Sequence, residues 1–260
     1  MGKVIRGVVV LRDILKQSVD SKKIKRKFIF SFISHYLSKN IFGKKISNFP
    51  PMKIKLYDCI FKTRPNTIDF WAVWIGFERD ITKYLLKKHK GGMTLVDIGA
   101  NIGRYSIILA KKGWDVYSFE PVKDTFNQLK INAENNSLGN NIKMYNLGLG
   151  SKREKRNIYY GKYKHGEASI LEPSDGKRRE EIQIEALDNL FKEKIKGKVI
   201  LKIDVEGFEL EVLKGARKFI EIYSPELIIE IWEKNKKIYE KYLHSLGYKN
   251  KFGELWVKKY

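Results

Sequence analysis

From Met93 onward, short apolar runs alternate with stretches whose apolar residues recur at helical spacing. Leu95–Asp97, Val116–Phe119, Ile142–Asn146, Val199–Ile203 and Leu227–Ile231 read as buried strands. Residues 103–112 and 122–136 read as helices, the second with Phe126, Leu129 and Ala133 inward. So do 209–221 (Leu210, Leu213, Ala216, Ile220) and 234–246 (Ile238, Tyr242, Leu246). This alternation predicts right-handed βαβ units in a parallel sheet. Gly247–Lys251 and Glu254–Lys258, turning at Gly253, predict a closing antiparallel hairpin. The rhythm stops at 151–186, a polar stretch that follows the turn Gly148–Gly150. It has strand-like pieces at Asn157–Tyr160 and Glu181–Glu185 around His165–Ser169, and reads as a β-rich insertion near the ligand end of the sheet.

The first third has a different pattern. Residues 4–15 place Val4, Val8, Leu11 and Leu15 on one helical face, and 22–38 place Ile24, Phe28, Phe32, Ile33 and Tyr36 on another. Gly43 and Asn48–Pro51 mark a linker. Residues 53–62 read as extended and Thr63–Asn66 as a turn. Asp69–Trp74 and Glu78–Lys88 follow as helices, the latter with Ile81, Tyr84 and Leu85 inward. These signals divide the chain into a basic helical extension (1–50), a strand/helix preamble (51–92) and a core (93–260) carrying the 151–186 insertion.

Charge sharpens the picture of the extension. The 260 residues carry a net charge of +22, and residues 1–92 account for +15 of it. Such an excess points to an anionic partner, either a membrane surface, a nucleic acid or an acidic glycan, or else to a Lys-rich composition without a purpose. The helix at 22–38 has Lys22, Lys23, Lys25, Arg26 and Lys27 in its first turns, a pattern that suits an anionic membrane or docking on the protein itself. Val4–Leu15 is interrupted by Arg6, Arg12 and Asp13, so no membrane span or signal segment is expected. The expected location is cytoplasmic, with peripheral membrane attachment left open. The single cysteine, Cys59, excludes an intrachain disulfide and a cysteine-based zinc cluster, and reads as an ordinary half-buried thiol. The four histidines have no ligand-like spacing.

Candidate chemistry gathers at strand ends. The segment Leu95–Ser106, LVDIGANIGRYS, runs from an apolar strand through Asp97 and a glycine-rich turn into a helix. Helix-start N–H groups and a carboxylate then meet at the carboxyl end of a strand, where open α/β sheets hold ligands. A strand-tip acid suits a ligand with a cationic amino-acid part better than a pyrophosphate, and S-adenosylmethionine fits that description. Glu120, at the tip of the next strand and about twenty residues on, stands where a ribose-binding acid is expected. Asp204 and Glu206, after a further strand, are candidates to orient a substrate hydroxyl, accept its proton or share a divalent cation. Lys202 within that strand is placed to pair with one of them, and His165 in the insertion is an outside candidate for substrate contact. No metal site is predicted.

Four blocks occur in order: Asp97–Gly103, Phe119–Pro121, Asn146–Gly150 and Lys202–Glu209. Together they resemble the FkbM-type family of S-adenosylmethionine-dependent methyltransferases, and Arg64–Asp69 resembles the family's upstream entry. The resemblance covers roughly 64–231. It implies a class I methyltransferase fold, a Rossmann-like α/β sheet of seven strands with an antiparallel last strand, here preceded by the helical extension. It implies that Asp97, Gly99, Ala100, Asn101 and Gly103 cradle the methionine end of the cofactor. Glu120 would take the ribose hydroxyls, and Asn146, Leu147 and Gly148 would lie by the adenine. It also implies O-methylation of a sugar or glycan-type acceptor. For that reaction the strand-end carboxylates make Asp204 the leading candidate base or base-orienter, with Glu206 assisting. An RNA methyltransferase and a non-catalytic glycan- or membrane-binding module are the competing readings.

Overall fold

The computed structural model describes residues 3–42, 48–88, 92–161, 164–169, 178–191, 195, 197–232 and 235–259. Gly43 of the expected linker lies outside them. Two helices open the chain, α1 (Lys3–Gln17) and α2 (Lys22–Phe42), followed by a hairpin of β1 (Lys53–Leu56) and β2 (Cys59–Lys62). A single 3-10 turn (Asp69–Trp71), shorter than the helix expected over 69–74, leads to α3 (Arg79–Leu86). The core then runs β3 (Met93–Ile98), α4 (Arg104–Lys111), β4 (Asp115–Phe119), α5 (Lys123–Asn135) and β5 (Ile142–Tyr145). The inserted strands are β6 (Gly148–Leu149), β7 (Glu154–Gly161), β8 (Lys164–Ser169) and β9 (Arg178–Glu185). The rest is α6 (Leu187–Leu190), β10 (Lys198–Ile203), α7 (Glu209–Gly215), α8 (Arg217–Tyr223), β11 (Glu226–Ile229), α9 (Lys236–Ser245), β12 (Tyr248–Phe252) and β13 (Leu255–Lys258).

Seven strands form one sheet in the order β12-β13-β11-β10-β3-β4-β5. β13 runs antiparallel to both neighbours, and the other pairings are parallel. This is the class I methyltransferase arrangement. Strand order reverses between β3 and β10, so the crevice beyond their carboxyl ends is the place for a ligand. One face of the sheet is covered by α3, α4 and α5, whose buried Leu85, Ile107 and Leu129 share a cluster with Leu95 and Ile200. The other is covered by α7, α8 and α9, whose Leu213, Ile220 and Leu243 meet Val96, Leu201 and Ile203. β6, β9, β7 and β8 make a second sheet in that order, so the expected turn at Gly148–Gly150 is a strand pairing in parallel with β9. His165–Ser169 lies in β8, an edge strand paired with β7, which its polar composition concealed.

The N-terminal extension is packed into the first of these clusters through Val10, Ile14, Phe28 and Phe32. Its rotation differs from the expected one. Val8 and Ile33 face outward, whereas Gly7 lies against the Tyr36 ring and brings Val10 and Ile14 inward. The preamble is tied to the core by side-chain amides on α5. Asn136 bonds both ways to the Ile60 backbone at 2.8 Å, Asn132 accepts from Lys62 N at 2.8 Å, and Gln128 donates to the Lys62 carbonyl at 2.8 Å. These amides stand in for the neighbouring strand that β2 lacks on that side. Cys59, at the start of β2, is fully buried rather than half-buried, and burial pushes its thiol up to about 11.

Three further expectations are corrected. The helix expected over 209–221 is broken at Ala216, because the Asp188 carboxylate takes the Lys218 and Phe219 N–H groups and starts a new helix there. α9 turns Tyr239 and Leu243 inward and leaves Ile238 exposed, because the Tyr239 hydroxyl donates to buried Glu209 at 3.0 Å. Phe126 is only partly buried, while Leu129 and Ala133 are fully so. Among the described residues, no helix is long and apolar enough to cross a membrane. Asn136→Ala strands the Ile60 N–H and carbonyl, and is expected to cost about 2–3 kcal/mol in urea unfolding with little change in slope.

Candidate active site

The glycine turn after β3 is shaped by close approach. Gly99 has φ +80°, and a Cβ there would lie 1.8 Å from the Asp204 carbonyl oxygen, so the tips of β3 and β10 meet only through a glycine. Gly99 N and Ala100 N donate to the Phe119 carbonyl at 2.9 and 3.0 Å, fixing the turn on β4. Asn101 has φ 52° and closes the turn through its own carboxamide, which accepts from Ile102 N at 2.8 Å. Gly103, at φ +91°, lets α4 pack on Leu129 of α5.

Glu120 is buried at the tip of β4. Its two oxygens accept from Asn101 N at 3.0 Å and Val122 N at 2.9 Å, and burial raises its carboxyl to about 7. Asn146 donates to the Glu120 and Pro121 carbonyls, which holds the loop after β5 against this corner. Between these loops lies a cleft that is open to solvent. Gly99, Asn101, Glu120, Leu147 and Gly148 line it from one side, Asp204 and Glu206 from another, and Ile158 and Ile182 of the inserted sheet form a wall. Asp97, Ala100, Gly103 and Asn146 stand behind the lining. Asp97 Oδ2 accepts from the Ser106 hydroxyl at 2.6 Å, and that hydroxyl accepts from Ser118 at 2.7 Å. Asp97 Oδ1 is buried with no hydrogen-bond partner.

Lys202 is buried in β10 and its ammonium lies 2.8 Å from Asp204 Oδ2. Asp97 and Glu78 add negative charge around it, and its pKa stands well above the usual lysine value despite burial. Three residues that the sequence reading gave no role join this network. Tyr105 donates to Glu78 at 2.6 Å and presents its ring 5.3 Å from the Lys202 ammonium. Glu230, just past β11, meets Asp204, and oxygens of Glu78, Asp204 and Glu230 lie within 4.8 Å of one another. Two carboxyl groups in hydrogen-bond contact share a proton. Burial and the Asp204 charge raise Glu230 to about 8, while Asp204, although buried, is held low by Lys202 and by the Glu230 hydrogen bond. These oxygens have the spacing of hard-cation ligands, and the Lys202 ammonium already supplies positive charge to them. In the sequence, Glu230 is marked only as an acid at a fourth strand tip. The backbone of His165 is in β8, and its side chain lies outside the described residues.

Residues 97–250 match the model of the methyltransferase FkbM domain. The chain belongs to the FkbM methyltransferase family. It is 27% identical over 171 residues to methyltransferase sdnD of Sordaria araneosa, covering 54% of this chain and 66% of that protein. It is 30% identical over 149 residues to hexuronic acid methyltransferase AglP of Haloferax volcanii, covering 53% and 56%. The chain thus spans about two thirds of the first relative's length and little more than half of the second's. A crystal structure of methyltransferase FkbM from Methylobacillus flagellatus KT aligns with a TM-score of 0.47 at 16% identity, over 95% of this chain and 55% of that one.

The raised carboxyls have a thermodynamic consequence. Glu230 at about 8 and Glu254, on the hairpin turn, at about 7 bind protons more tightly folded than unfolded. Their contribution is fully present below the unfolded value of about 4.5 and is lost as pH rises through about 7–8. Melting temperature is therefore expected to fall between about pH 5 and 8, and Glu254→Gln to flatten the slope in thermal melts across that window.

Proposed function

We propose that this chain binds S-adenosylmethionine in the cleft and methylates a hydroxyl of a sugar or glycan-type acceptor. The observation that carries the reading is that Asp204, with Glu230 against it, lines the same cleft as the Glu120 corner. The acceptor class is supported by the relative that is a hexuronic acid methyltransferase. Bound in the cleft, S-adenosylmethionine would supply an electrophilic methyl group on a sulfonium sulfur, which would keep the electron pair of the broken C–S bond. Gly99 lets the tips of β3 and β10 close up beside the cleft, and Glu120, its oxygens fixed by two N–H groups, would accept hydrogen bonds from the ribose hydroxyls. The unpartnered Asp97 Oδ1 adds negative potential beneath the methionine end. Asp204 orients the acceptor hydroxyl and takes its proton as the new bond forms. Lys202 keeps Asp204 ionised beforehand, and Glu206 assists at the mouth of the cleft. Ile158 and Ile182 of the second sheet give the cleft an apolar wall.

Incubation with methyl-labelled S-adenosylmethionine and separated glycolipid, polysaccharide and RNA fractions tests this reading. Alkali-stable label is expected in a sugar fraction. Asp204→Asn is expected to lower it about 100-fold or more while cofactor affinity changes little. Label in RNA, or loss of cofactor binding in that variant, would overturn the assignment.

The carboxyl pair also predicts a pH profile. Glu230 faces Asp204, Glu206, Glu254 and Glu78, with Lys202 the nearby cation. As Glu230 ionises near pH 8, its charge raises the proton affinity of Asp204, so kcat/KM is expected to rise through that region. Glu230→Gln keeps a neutral donor on Asp204, and its profile is expected to remain flat there.

A further inference from the structure

Among the described residues, none covers the outer side of α2, although the helix is firmly seated on its inner side through Phe28 and Phe32. Lys22, Lys23, Arg26, Lys27, Phe30, Ile33 and Leu37 are all exposed. At about 100° per residue these seven fall within an arc of about 140°. The stripe has two halves. Its first two turns present only cations, and the next two present large apolar side chains, with Phe30 75% exposed, Ile33 48% and Leu37 52%. No acidic residue occurs anywhere in α2.

From this arrangement we infer that the outer face of α2 docks the protein on an anionic lipid membrane. The cations meet lipid phosphates and carboxylates at the headgroup level, and Phe30, Ile33 and Leu37 enter the acyl boundary beside them. The chemistry of the stripe distinguishes this occupant from two others. A nucleic acid would engage the cations and leave the aliphatic Ile33 and Leu37 in water. A second copy of this chain would bring the basic halves of two like faces together, and charge repulsion opposes that. The apolar residues sit on a helix already held rigidly, so insertion requires no folding of α2. The inference is independent of the reaction proposed for the cleft.

The test is co-flotation of the full chain with phosphatidylcholine vesicles, with and without phosphatidylserine at about a third of the lipid. Partition into the anionic vesicles and not the neutral ones is expected. Phe30→Ser combined with Ile33→Ser and Leu37→Ser is expected to weaken that partition at least tenfold. Lys22→Glu, Lys23→Glu, Arg26→Glu and Lys27→Glu together are expected to abolish it. Both sets replace exposed side chains, and circular dichroism melts matching the parent confirm their folding. Ile33→Gln with Leu37→Gln is the gentler substitute for the serine set. Undiminished vesicle binding by a folded apolar variant would overturn the inference. So would absent vesicle binding, whether accompanied by salt-sensitive RNA binding through the same cations or by self-association that the serine set removes.

Discussion

A buried ammonium organises the centre of this protein. Lys202 sits in the middle of the main sheet with Asp204 at 2.8 Å, and Asp97 and Glu78 contribute to its field. Without it, three carboxylates from β3, β10 and the approach to α3 would face one another in a poorly solvated space. Removing one partner of a buried pair commonly costs about 3–5 kcal/mol, because the stranded charge stays in place. The pair is therefore weak evidence of net stabilisation and strong evidence of a constraint on geometry. It brings the tips of two neighbouring strands and a preamble helix to one point, and Gly99 is the residue that lets those tips approach.

The preamble and the core are one physical unit by the same logic. Arg64 forms a two-point ion pair with Asp69 and donates to Thr125 on α5. Arg104, at the start of α4, is buried and donates to the Ala72, Trp74 and Phe77 carbonyls. A loop whose carbonyls would otherwise be buried without partners is thereby satisfied by a single guanidinium. This holds Glu78 and α3 where they complete the carboxylate network. Residues 51–92 thus contribute Glu78 directly to the carboxylate network around Lys202.

Much of the main sheet was legible because its strands are continuous apolar runs, each followed by a turn and an amphipathic helix. The strand-tip acids were legible for the same reason, since Asp97, Glu120 and Asp204 each directly follow such a run or end it. What escaped the sequence was set by single polar contacts between distant segments. The rotation of α9 follows from the Tyr239–Glu209 hydrogen bond, and the break before α8 from Asp188. Periodicity has no access to either. The meeting of Glu230, Glu78 and Tyr105 depends on strand order rather than on spacing along the chain. The insertion was visible as a change of rhythm, but β8 was hidden because an edge strand need not alternate apolar and polar residues.

Cys59 has a use unrelated to any chemistry in the cleft. The chain contains one thiol, and it lies buried beneath α4, donating to the Ile107 carbonyl at 3.9 Å. A thiol-specific reagent reaches it only when the β1–β2 hairpin lifts from the core, so its rate of modification clocks that opening event. Cysteines introduced elsewhere can carry dyes or spin labels with almost no background from the native one, so distances across the fold are measurable without first engineering a cysteine-free parent.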